Sequence, residues 1–80
     1  MNLDHNKIIA FVAELSNTPA DQIQEDTALF SSNLLDSYNM MDLIQFIETE
    51  LSIRIGATEV SLDNLDSPQK IMTFVTERDA

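Results

Sequence analysis

Apolar residues return at helical intervals in three places along this chain, and the segments between them keep no steady period. In LDHNKIIAFVAELSN, Ile8, Phe11, Val12 and Leu15 stand at i, i+3, i+4 and i+7. That spacing lays them along one stripe of a helix with Asp4 placed as its cap, and it predicts a first helix over roughly residues 4–15. The clearest pattern lies in NLLDSYNMMDLIQFIETEL, residues 33–51. At about 100° per residue, Met40, Leu43, Ile44, Ile47 and Leu51 share one arc wide enough to face a core. The opposite side carries Tyr38, Asp42, Gln45 and Thr49, with Met41 and Glu48 on a flank, and either Asp36 or Ser37 can cap the start. DSPQKIMTFVTER restarts the pattern, with Ser67 as cap, Pro68 at the first helical position and a stripe of Ile71, Phe74 and Val75.

The connecting segments are harder to read. Ser16 to Asp36 forms a link of about 20 residues, unusually long for a small domain. Within it NTPADQI predicts one helical turn, with Thr18 as cap, Pro19 at the first helical position and Asp21 near the start. Ile23, Leu29, Phe30, Leu34 and Leu35 are the residues available to hold this link against a core. Beyond the second helix Ile53 and Ile55 alternate briefly before Gly56, which allows a strand over 51–55 that has no partner elsewhere, and Thr58 is placed to cap a short helix. Phe46 falls off the core stripe and is expected to pack beneath that short helix. The expected fold is all-α, a small bundle of three main helices plus a short third helix, with a long loop between helices one and two and one domain spanning residues 1–80.

Composition narrows what such a bundle can do. The chain has 80 residues, 44% of them hydrophobic, with one Gly and two Pro. This is enough to fold but leaves little room for a deep cleft. Fourteen acidic against four basic residues give a net charge of −10, which repels nucleic-acid phosphates and anionic membranes and attracts basic protein surfaces. With no Cys there is no disulfide framework, thiolate nucleophile or Cys-based zinc site. The opening MNLDHNKIIAFVAEL resembles neither a signal peptide nor a membrane span, so a cytoplasmic protein is expected.

Catalytic and metal chemistry find little support. A Ser-His-Asp arrangement would depend on His5, the only histidine, at the start of helix one. The carboxylates are many, but no pair is set in apolar surroundings that would separate their pKa values. DNLDSPQKIMTFVTE lacks the oxygen ligand at the third position and the glycine at the sixth that a calcium loop requires. Helix two offers Asp and Glu where a DNA-reading helix needs Lys and Arg.

Ser37 is the residue whose position has chemical meaning. At a helix N-terminus its hydroxyl is near the surface, and a phosphate ester there would meet unpaired backbone N–H groups and the positive end of the helix dipole. LLDSYNMMDLIQFIETEL, in which an acid, a serine and a large side chain open an amphipathic helix, resembles the prosthetic-group attachment site of acyl and peptidyl carrier proteins. The likeness extends over nearly the whole chain, through the length of helix one, the long loop, RIGATEV before a short helix and LDSPQKI opening the last.

The resemblance implies a non-catalytic carrier. In that family a phosphopantetheinyl transferase, using magnesium and coenzyme A, attaches 4′-phosphopantetheine to the serine through a phosphodiester. Ser37 is then the modified residue, and Asp36 the acid beside it that presents the site. The arm's thiol holds cargo as a thioester, which lets a cysteine-free chain take part in sulfur chemistry. Tyr38 stands where the family usually has Leu or Phe, a departure that bears on partner choice. Tyr38, Met41, Asp42, Gln45 and Glu48 line the side that carriers present to partners: the transferase, an adenylating or acyl-loading enzyme, and downstream acyl- or aminoacyl-processing enzymes. LLDSY and GATEV…LDNLDSPQKI look closer to stand-alone aminoacyl, peptidyl or D-alanyl carriers than to fatty-acid carriers. This implies a monomer serving nonribosomal peptide, polyketide-type or D-alanylation biosynthesis. Phe11, Phe30, Phe46 and Phe74 are expected to fill the bundle at the expense of a long acyl chain, and a fatty acyl cargo stands as the alternative. The rival from another class is a non-covalent acidic module, an adaptor or inhibitor docking a basic surface, and it rests on the −10 charge alone.

Overall fold

The computed structural model describes residues 3–79, and four α-helices account for most of them. They are α1 (His5–Ser16), α2 (Ser37–Leu51), α3 (Leu62–Leu65) and α4 (Pro68–Asp79), with single 3₁₀ turns at Ala20–Gln22 and Ala57–Glu59. α1 packs on α4 and α2, and α3 packs on α4. The three long helices and the short third one match the expected all-α bundle.

Their starts follow local chemistry. Asp4 caps α1 by accepting the Lys7 amide at 2.8 Å. Ser67 caps α4 by accepting the Lys70 amide at 3.1 Å, with Pro68 at the first helical position as its missing N–H allows. α1 and α2 both end on a left-handed residue, Asn17 at φ 56° and Ser52 at φ 54°, whose amides return to the carbonyls of Ala13 and Glu48. Asn accepts this conformation readily and Ser does so at a cost of roughly 1 kcal/mol.

Two turns start differently from expectation. Pro19 is the residue before the first 3₁₀ turn and lies outside it, while the Thr18 hydroxyl donates back to the Ser16 carbonyl. Gly56, in place of Thr58, precedes the second turn, and its amide is bonded by the Glu59 carboxylate at 2.9 Å. No strand forms among the described residues. The segment 51–55 finds its partners locally, with Ile53 N–H donating to the Glu48 carbonyl and Ile55 N–H to the Glu48 carboxylate.

The core is aliphatic. Leu3, Ile8 and Val12 come from α1 and its approach, Ile23, Leu29 and Leu35 from the long link, Leu43 and Ile47 from α2, Leu65 from α3, and Ile71 and Val75 from α4. Each such side chain contributes about 1.5–3 kcal/mol on leaving water. The four phenylalanines do not fill the centre as expected: Phe11, Phe30, Phe46 and Phe74 are all half-buried around it. Nor does Phe46 lie under α3. It stacks on Phe11 with ring centroids 4.2 Å apart and planes 7° from parallel, closing the seam between α1 and α2.

The long link is held by one buried carboxylate. Asp66, 8% exposed at the end of α3, accepts the amides of Phe30 at 2.8 Å and Ser31 at 3.0 Å, and its second oxygen receives the Ser31 hydroxyl. The Asp66 carbonyl also takes the Leu29 amide at 2.7 Å. Gln69 N–H donates to the Glu25 carbonyl at 2.8 Å, and the His5 ring bridges Gln69 and Glu25, so the earlier half of the link is tied as well. Burial works against the Asp66 charge, but the Ser31 hydroxyl, the two amides and the charge of Lys70 outweigh it and hold the carboxyl below its ordinary value.

A carboxylate with a lowered pKa stabilises the fold above its unfolded value and loses that contribution as the pH falls through its folded value. Asp66→Ala is expected to lose about 2–4 kcal/mol at neutral pH, since it strands buried donors. In urea titrations the difference from wild type should stay constant above roughly pH 5 and shrink below the ordinary carboxyl value of 3.8. A difference that grows on acidification would contradict the clamp.

Candidate functional site

The head of α2 divides its work between two adjacent residues. Asp36 has extended backbone at φ −112°, ψ −174°, and its carboxylate accepts the Asn39 amide at 2.9 Å. The Asn39 side-chain oxygen returns to the Asp36 amide at 3.1 Å, a reciprocal cap in which Asn replaces the usual Glu or Gln. Asp36 is therefore the cap, and Ser37 is the first residue of the helix.

That arrangement frees the Ser37 hydroxyl. Ser37 is exposed, and no hydrogen bond among the described residues engages its side chain. The amides of Ser37 and Tyr38 belong to the unpaired first turn, where negative charge is favoured by about 0.3–1 kcal/mol. A phosphodiester on Ser37 fits this setting chemically. The Asp36 carboxylate beside it is a competing negative charge, softened because it is spent on the Asn39 amide.

The outward face of α2 starts at the same point. Tyr38 is 80% exposed and Met41 70%, one turn apart and hence neighbours on the surface. Asp42, Gln45 and Thr49 are also exposed. Glu48 is set apart: it is half-buried, and one carboxylate oxygen accepts the Ile55 amide at 2.8 Å. Leu62 on α3 is 48% exposed, a large apolar residue that sequence reasoning did not single out. A one-turn helix that buries Leu65 leaves other positions to solvent, and that was the available signal.

Beside Ser37 runs a groove of about 410 Å³ bounded by Phe30, Asn33, Leu35, Asp36, Ser37 and Met40. Its outer wall is the end of the long link. Asn33, left-handed at φ 65°, donates its amide to the Phe30 carbonyl, and the Leu35 amide returns to Leu29. A second groove of about 440 Å³ lies along α1 and α2 around the Phe11–Phe46 stack. Among the described residues no group of acidic or histidine side chains is disposed to hold a metal ion, and no helix is long and apolar enough to cross a membrane.

No known family profile matches the chain. Curated proteins named D-alanyl carrier protein do resemble it. The one from Bacillus pumilus is 29% identical over 72 residues, spanning 90% of this chain and 92% of the relative. That from Bacillus velezensis is 28% identical over 71 residues, 89% of this chain and 91% of the relative. That from Streptococcus sanguinis is 32% identical over 72 residues, 89% of each.

The division between cap and free hydroxyl is measurable without any partner. Asp36→Ala is expected to cost about 1 kcal/mol of stability, while Ser37→Ala should stay within about 0.5 kcal/mol of wild type. Chemical denaturation of both variants checks this. A larger loss at Ser37 would make it the cap.

Proposed function

Because the chain belongs to the carrier-protein family of its D-alanyl carrier relatives, we propose that Ser37 is the residue through which it carries cargo, by way of a 4′-phosphopantetheine arm. The observation that carries this reading is a serine hydroxyl left exposed and unengaged at the first position of α2 while its neighbour does the capping. A serine needed for folding would be expected in the opposite state.

The attachment step balances as a phosphoryl transfer. The Ser37 oxygen forms a bond to the β-phosphorus of coenzyme A, the pyrophosphate bond breaks, adenosine 3′,5′-bisphosphate leaves, and the serine proton passes to a base of the transferase. The chain supplies an unhindered nucleophile oxygen and first-turn amides that favour the resulting anion. The bound arm supplies a thiol that holds an acyl group as a thioester. Given the relatives' names, the cargo is proposed to be a D-alanyl group, loaded by an adenylating enzyme and passed to a downstream aminoacyl-processing enzyme.

Partners are proposed to approach the outward face of α2. Tyr38 and Met41 offer an apolar pair beside the attachment point, Met41 being flexible enough to suit several partners. Asp42 and Gln45 extend the face, and the overall charge of −10 draws basic docking surfaces. Glu48 lies at the edge, holding the segment after α2 through Ile55 more than meeting partners. Tyr38, unusual at this position, is exposed to solvent and so bears on recognition without a buried hydroxyl to satisfy.

Incubation with coenzyme A, magnesium and a broad-specificity phosphopantetheinyl transferase should raise the intact mass by one phosphopantetheine, and Ser37→Ala should abolish the gain. Unmodified protein after treatment with several such transferases would overturn the reading. Asp42→Lys should leave the fold intact and lower the transfer kcat/KM several-fold at low salt, with the gap narrowing as ionic strength rises.

A further inference from the structure

The groove beside Ser37 has one wall on α2 and the other on the long link. Phe30 and Met40 are half-buried along it, Leu35 forms its floor, and Asn33 stands exposed at its rim. The wall is held in place: Asp66 binds the Phe30 and Ser31 amides, the Ser32 hydroxyl donates to the Ala28 carbonyl, and the Asn33 turn is closed onto Phe30. A site of this kind is formed before any ligand arrives.

We infer that this groove is the resting seat of the arm's pantoyl portion, an inference that rests on Ser37 being the attachment residue. Three observations select this occupant. Ser37 itself forms part of the lip, so the ligand is tethered there at an effective concentration on the order of millimolar, and weak contacts suffice to hold it. The lining is mixed as the ligand is mixed: Phe30, Leu35 and Met40 would meet a geminal dimethyl carbon, and the exposed side-chain amide of Asn33 is available to a hydroxyl or amide group. Finally, the roomier groove around Phe11 and Phe46 is lined on α2 by residues 42–50, more than a helical turn beyond Ser37. The seat holds the part of the arm nearest the phosphate and leaves the thiol end free, so a partner draws the arm out without unfolding anything.

Isotope-filtered NMR on labelled protein carrying an unlabelled arm tests this. Cross-relaxation is expected from the geminal methyl protons to the Phe30 ring and the Met40 methyl, with amide shifts at residues 33–35 exceeding those around Phe11 and Phe46. Asn33→Gly suits the left-handed turn and removes only the side-chain amide. It should lower the docked-to-free ratio roughly two- to tenfold, the range of one modest hydrogen bond. An intact mass that shows the arm on Ser37 with no such contacts, or with contacts elsewhere, overturns the seat alone. A mass without the arm overturns the attachment itself, and the seat with it.

Discussion

A single buried carboxylate makes the site possible. The link between α1 and α2 is too long to order itself, and its three buried aliphatic residues leave much of its backbone polar. Asp66 answers that need from the far end of the chain, gathering the amides of Leu29, Phe30 and Ser31 and the Ser31 hydroxyl onto one residue. Burying a charge is costly unless it is fully bonded, and here the Ser31 hydroxyl and the Ser31 and Phe30 amides offset that cost and hold the carboxyl below its ordinary value. The chain then reaches Asp36 in a fixed position, and α2 begins where it does.

From that anchor the two sides of α2 acquire different tasks. Leu43 and Ile47 bind the helix to the aliphatic core, with Met40, Ile44 and Leu51 beside them. Tyr38, Met41 and Asp42 are left outside, next to a serine that the cap does not consume. Asp36 and Ser37 both have the chemistry to cap α2, and the structure gives the cap to Asp36 and leaves the Ser37 hydroxyl unengaged. For the proposed attachment this separation is favourable, because a hydroxyl locked into the helix start would have to break a stabilising bond before it reacted.

Much of the fold was legible because it is local. The apolar stripes of α1, α2 and α4 and the signals of Asp4, Ser67 and Pro68 act within one or two turns, where spacing is sufficient. Contacts between distant segments were not legible. In the sequence Asp66 is only part of the opening of α4, since its partners lie 35 and 36 residues away. The angle of Phe46 on α2 does not reveal which neighbour it meets, and the structure pairs it with Phe11 in place of the expected α3. Thr18 and Thr58 have the right chemistry for caps, yet Pro19 and Gly56 occupy the positions just before the turns. At the site, the exposure of Tyr38 and Met41 followed from the stripe, whereas the engagement of Glu48 by Ile55 depends on how the chain turns after α2.

The proposed function adds chemistry that no side chain of this protein possesses. The chain has no cysteine and the proposed arm would supply the thiol, so the covalent state of Ser37 in the cell is the point on which the account turns. The most direct measurement is the intact mass of the protein isolated from its own host under conditions that preserve thioesters, with fragmentation to locate any adduct. The predicted result is one phosphopantetheine on Ser37, part of it bearing a further mass equal to one alanyl group. Unmodified chain throughout, or an adduct on another residue, would contradict the account.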